Sequence, residues 1–85
     1  MQSQRMALVH DPRKHALLGQ YIRDTRTSVG MTQSMLASVL EKPQSYIAKI
    51  EAGERRIDVI EFIQILDVMG ISIHNAVDYI KGKIL

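Results

Sequence analysis

Apolar positions recur at helical spacing in five stretches of this sequence, and residues that start or stop helices fall between them. The breaks are Asp11-Pro12, Gly30, Lys42-Pro43, Gly53 and Gly70. Asp before Pro is a helix start: the Asp oxygen caps free N–H groups, and the missing proline donor is harmless at the first helical position. The first helix is therefore predicted from about Pro12 to Ser28, with Leu17, Leu18, Tyr21, Ile22 and Val29 at helical spacing and Gly30 to end it. Thr32 caps a short second helix, Gln33 to Leu40, whose apolar edge is Leu36, Val39 and Leu40, with the small Ala37 between them. Pro43 opens a third, through about Ala52, with Ile47 and Ile50 inward and Gly53 as its stop.

The fourth helix, from its cap Asp58 to Gly70, has a different pattern. Nine of the thirteen residues from Ile57 to Met69 are apolar, and the polar ones, Asp58, Glu61, Gln64 and Asp67, recur every third position. They rotate around the cylinder and leave no wide wet face, so this helix is expected to be enclosed by protein on most sides, as a core helix or part of an interface. A fifth helix, about Ile73 to Lys81, is capped by Ser72 and carries Ala76, Val77 and Ile80 on one face. The fold class is all-α: a compact five-helix domain with helices 2 and 3 separated by a tight turn.

Length limits what such a fold can do. Eighty-five residues make one domain, read as an N-terminal arm over 1–11 and a single folded unit over 12–85. A core this small leaves little room for an elaborate catalytic pocket. There is no cysteine, and His10, His15 and His74 lack metal-ligand spacing, so no cofactor, metal or enzymatic activity is expected. The longest apolar run, Met6 to Val9, is too short to span a membrane, and a reducing, cytoplasmic setting is the natural reading.

Charge adds a direction. The formal net charge is +2, but residues 1–56 carry +4 and residues 57–85 carry −2. A basic N-terminal two thirds makes a polyanion a candidate partner, although such a segment also suits a solvated surface. Helices 2 and 3 have the proportions of a pair in which the first crosses a phosphate backbone and the second enters the DNA major groove. With Ile47 and Ile50 turned inward, Gln44, Ser45, Ala48 and Lys49 lie on or near the opposite face, with Tyr46 toward one edge. Gln pairs with adenine edges and Lys with guanine acceptors, while Ser is small and adaptable.

The string Ile22-Arg23, Arg26, Gly30-Met31-Thr32-Gln33, Leu36-Ala37, Leu40, Pro43-Gln44-Ser45-Tyr46-Ile47, Ile50-Glu51, Gly53-Glu54-Arg55-Arg56 and Leu66 to Gly70 resembles the Cro-type, phage-repressor-like helix-turn-helix regulators, or Xre family. The likeness covers residues 17–72 in order and spacing. It implies a lambda-repressor-like five-helix domain, sequence-specific binding of double-stranded DNA and a homodimer. It further implies base contacts from Gln44, Ser45 and Lys49, and backbone contacts from Gln33, Tyr46, Arg55 and Arg56. Arg26 and Glu51 match a structural charged pair, and Ala37 the small residue that lets helices 2 and 3 approach. Two positions depart from the family pattern: the turn reads Glu41-Lys42 where glycine and an apolar residue are usual, and Pro43 replaces a Ser or Thr cap.

Among the remaining residues, Met31, Met35 and Met69 are read as core filling, and the histidines as ordinary surface or partly buried groups. Tyr79, Ile80, Ile84 and Leu85 either form a dimer interface or complete the core of one chain. The dimer is favoured, because one small module makes few phosphate and base contacts. The expected function is a cytoplasmic repressor acting as a homodimer on a palindromic operator. The alternative is an antitoxin-like or adaptor protein whose main role is to bind another protein.

Overall fold

The computed structural model describes residues 11–85. The expected arm therefore lies outside the described residues, apart from Asp11. Five α-helices follow: α1 (Pro12–Ser28), α2 (Gln33–Val39), α3 (Gln44–Glu51), α4 (Val59–Met69) and α5 (Ile73–Tyr79). A π-helical turn, Ile80–Ile84, ends the chain, and no strand occurs among the described residues. The all-α, five-helix expectation is met.

Side chains cap the helix starts. Asp11 accepts from the Arg13 N–H at 3.0 Å, Thr32 from Met35 at 3.0 Å and Ser72 from Asn75 at 3.2 Å. At α4 the capping is reciprocal: Asp58 accepts from the Glu61 N–H, and the Glu61 carboxylate accepts from the Asp58 N–H. Pro43 takes the cap position that the resemblance gives it, one before the first helical position expected from its own start signal. It is the extended residue before α3, not its first helical residue, and supplies no side-chain cap.

Four helix ends share one device. After α1, α2, α3 and α4 the chain turns through Gly30, Glu41, Gly53 and Gly70 at positive φ, and the next N–H reaches back to close the last turn. Those closing bonds run from Met31 to Arg26, Lys42 to Ala37, Glu54 to Lys49 and Ile71 to Leu66, at 2.9–3.1 Å. Three of the four turning residues are glycine; Glu41, at φ 57°, is not. The α2–α3 turn thus has the geometry of the other three while placing a side chain where they have glycine, at a cost of about 1 kcal/mol.

The core is built from Ile22, Leu36, Ala37, Ile47, Ile50, Ile65, Leu66 and Ala76, each at most 2% exposed, with Tyr21, Phe62 and Met69 around them. α1 and α3 approach so closely at Gly19 that a Cβ there would overlap the Ile50 carbonyl oxygen. Ala37 is 1% exposed on α2, where it packs with the α3 residues Ile47 and Ile50 in the same core.

Several apolar residues expected inside are at the surface: Leu17, Val29, Met35 and Val39 are exposed. Leu17 shows why: the Gly19 contact fixes which face of α1 turns inward, and Leu17 lies roughly 140° around the helix from Ile22. Nor is α4 enclosed on most sides. Phe62, Ile65, Leu66 and Met69 are buried, but Val59, Ile60 and Ile63 face outward at 67%, 65% and 41% exposure. A single small domain has helices enough to cover only one side of α4.

The α5 segment also differs from its expected form. Regular helix stops at Tyr79, and the following turn is wider, closed by the Leu85 N–H on the Ile80 carbonyl at 2.8 Å. Ile80, Ile84 and Leu85 come to line a groove with Lys14, His15 and Leu18 of α1. Tyr79 stacks on Tyr21 with ring centroids 4.5 Å apart.

Candidate nucleic-acid interface

The α2–α3 pair is held to α1 by a buried ion pair. Arg26 Nε donates to Glu51 Oε2 at 2.6 Å and Nη2 to Oε1 at 3.0 Å, while Nη1 donates to the Met31 carbonyl at 2.7 Å. The bond to Glu51 holds the Arg26 guanidinium protonated beyond its usual range. Arg26 is 7% exposed and Glu51 9%, so each charge depends on the other in place of water. The fork to Glu51 and the bond to Met31 tie the end of α1, the α1–α2 loop and the end of α3 together.

From Glu51 a line of hydrogen bonds runs outward. Gln33 Nε2 donates to Glu51 Oε1 at 2.9 Å, and Gln44 Nε2 donates to Gln33 Oε1 at 2.6 Å. The direction is dictated by chemistry. An ionised carboxylate only accepts, so Gln33 must turn its amide nitrogen to Glu51 and its oxygen to Gln44. Gln44 is then left with one N–H and its Oε1 free, the pair that an adenine edge accepts and donates. Gln33, half-buried, is thus engaged at both ends of its amide, with one N–H to spare. Gln44, Ser45 and Lys49 are exposed on α3, with Ala48 half-buried behind them.

A second cluster joins α3 to α4. The Tyr46 hydroxyl donates to Glu61 Oε2 at 2.8 Å, and Arg55 Nη2 lies 3.0 Å from the same oxygen. Arg55 also donates to the Arg56 carbonyl at 2.9 Å, and its guanidinium lies 4.7 Å from the Tyr46 ring centre. Lys42 Nζ lies 5.3 Å from that centre. Burial, with the Glu61 bond second, pushes the Tyr46 phenol up to about 12. The Asp58 N–H, then Arg55 and Tyr46, hold the Glu61 carboxyl down at about 2. Both groups keep their charge state at neutral pH. Arg56 is exposed and borders a shallow cleft with Pro12, His15 and Gly53.

A helix-turn-helix family model matches residues 22–74, more than half of the chain. The chain belongs to this family, of the Cro/C1 type. No curated protein matches the sequence. Helix-turn-helix domains of this kind bind DNA and are not an enzyme family, so the chain is a DNA-binding helix-turn-helix regulator. Its recognition helix is α3, preceded by α2 and the turn at Glu41. Among the described residues, no group of three or more His, Asp or Glu side chains is gathered as for a metal, and no single helix is long and apolar enough to cross a membrane.

Two residues of this interface escaped the sequence reading. Gly19 carries no local signal, because its need arises from a helix distant in sequence. Glu61 does carry one: Asp58-x-x-Glu61 is the spacing of a capping box, although that spacing says nothing of Tyr46 or Arg55.

Proposed function

We propose that this helix-turn-helix protein is a transcriptional repressor that binds a palindromic operator as a homodimer. The observation that supports the reading is the line Arg26–Glu51–Gln33–Gln44, which fixes the Gln44 amide at the exposed start of α3. Gln44, Ser45 and Lys49 read base edges, while Arg55, Arg56, Gln33 with its spare N–H, and the ring edge of Tyr46 face the phosphate backbone.

The dimer reading is supported by apolar surface that the single chain leaves uncovered. Val59, Ile60 and Ile63 on α4, Ile73 and Val77 on α5, and Leu85 at 76% exposure are available to a second copy. Tyr79, Ile80 and Ile84 contribute less free surface, because they also pack within the chain. A symmetric pair places two α3 helices about 34 Å apart, one turn of DNA. The same exposed apolar surface is the observation that favours the second reading, an adaptor or antitoxin-like protein bound to a different protein.

The test is selection from a random-sequence duplex pool at two salt concentrations, with the mass in solution measured alongside. A palindrome enriched by a dimer, with affinity falling as salt rises, is the expected result. A monomer that enriches nothing would overturn the repressor reading and turn the search to a protein partner.

A further inference from the structure

Arg55 lies in the loop after the recognition helix, where the proposed function turns it to phosphate, yet in the DNA-free protein it is already bound to a carboxylate. Glu61 takes it at 3.0 Å through Oε2 and at 3.4 Å through Oε1. The Arg56 carbonyl and the Tyr46 ring hold its other sides. Glu61 itself cannot swing away freely: the Asp58 N–H donates to it at 3.0 Å and the Tyr46 hydroxyl at 2.8 Å, so it is fixed to the first turn of α4 and to α3 at once. Its side chain is 20% exposed and that of Arg55 is 40%. The anion is thus set back in the protein while part of the cation faces out.

This arrangement has unequal consequences for the two kinds of DNA complex. In the operator register, Gln44, Ser45 and Lys49 fix α3, and a phosphate is brought to Arg55 where it already sits. On DNA without the right bases no register is fixed, and a mobile arginine would find a phosphate anyway, because backbone charge is everywhere. A seated arginine cannot follow. The neighbouring carboxylate also offsets its charge, which weakens long-range attraction to any duplex.

Resting on the DNA-binding reading, we propose that Glu61 is a specificity-determining residue: it positions Arg55 in one seat and withholds that charge from DNA docked out of register. Glu61 acts through Arg55 and touches no base.

The test uses the full chain with Glu61→Gln, which keeps a capping side chain at the start of α4 while removing the charge. Glu54→Gln is the control: it removes a charge from the same loop, and the Glu54 side chain has no ion pair among the described residues. Binding is measured to a random-sequence duplex and to the duplex enriched from the pool, at 50 and 200 mM salt. Glu61→Gln is expected to tighten random-duplex binding several-fold more than Glu54→Gln. That advantage should shrink by about threefold between the two salts, the signature of one added phosphate contact. The enriched duplex gains less, so the ratio of specific to random binding falls. In an Arg55→Ala background the Glu61→Gln effect should drop to that of Glu54→Gln. A Glu61→Gln protein that keeps its specificity ratio would overturn the proposal, as would a gain that persists without Arg55. A wild-type protein that shows no salt-dependent duplex binding would overturn the DNA-binding reading itself, and that result is separate from either of these. Thermal melting of each variant establishes that the compared chains are folded; should Glu61→Gln not fold, Tyr46→Phe, which frees one side of the Glu61 seat, is expected to lower the specificity ratio in the same direction, and an unchanged ratio would overturn the proposal.

Discussion

Gln44, the first residue of the recognition helix, is held by Gln33, the first residue of the helix before it, through a 2.6 Å bond from Gln44 Nε2 to Gln33 Oε1. Gln33 is in turn oriented by Glu51. Truncating Gln33 to alanine removes the brace, together with the phosphate contact proposed for its spare N–H, without touching the exposed face of α3. Specific-site affinity should fall by about 1 kcal/mol, near the net worth of one hydrogen bond. Titration of Gln33→Ala against the enriched duplex checks this. Unchanged affinity would mean that Gln44 does not need the brace, or does not read a base.

Lys49 is exposed two residues before the end of α3, one helical turn on from the exposed Ser45. Lys49→Ala should lose roughly 1–3 kcal/mol on the preferred site and little on random DNA, as for a base contact. Equal weakening on both, with a shallower salt slope, would reassign Lys49 to phosphate.

Glu41 offers a gain. It turns the chain at φ 57° in the position that glycine fills at the other three helix ends. Glu41→Gly should stabilise the fold by about 1 kcal/mol, a rise of several degrees in melting temperature for a domain of this size. Glu41 and Lys42 lie beside the start of α3, so removal of the acidic side chain should also tighten non-specific DNA binding slightly. A thermal melt of the variant beside wild type decides the first point.

The elements were legible because their ends carry strong local chemistry: Asp11-Pro12, Thr32, Ser72 and the glycines at 30, 53 and 70 act on their own neighbours. What each helix faces was less so. Leu17 has the right type and spacing for a core, but which stripe of α1 turns inward is set by the close contact of Gly19 with the Ile50 carbonyl, between residues far apart in sequence. The exposed set on α3 could be read from the inward Ile47 and Ile50. The Tyr46–Glu61–Arg55 cluster could not, because it joins three segments whose relative placement exists only in the folded chain.

That cluster predicts the pH dependence of stability. Glu61 is held at about 2 in the folded protein against an ordinary 4.5, so its contribution is present above pH 4.5 and is lost as pH falls toward 2. Tyr46 is raised from 10 to about 12, so its contribution is present below pH 10 and is lost as pH rises toward 12. Melting temperatures of wild type and Glu61→Gln should therefore converge at low pH, and Tyr46→Phe should flatten the alkaline limb. Parallel curves across the acid range would show that the Glu61 charge adds nothing to the fold.

Gly19 gives the sharpest stability prediction. Alanine is a better helix former than glycine by about 1 kcal/mol, so at an exposed position within α1 the change would stabilise. Here the added methyl would meet the Ile50 carbonyl oxygen, with the Glu51 backbone close behind. Neither is the end of a flexible side chain, so α1 and α3 must separate. Separation would stretch the Arg26–Glu51 bonds that anchor the recognition helix. Gly19→Ala should therefore destabilise by about 3 kcal/mol, the upper end of the range for overpacking. Because the displaced element is α3, affinity for the enriched duplex should fall under conditions where the variant remains folded. Denaturant unfolding and duplex titration of the same preparation measure both effects, and a variant as stable as wild type would show that the two helices can move apart freely.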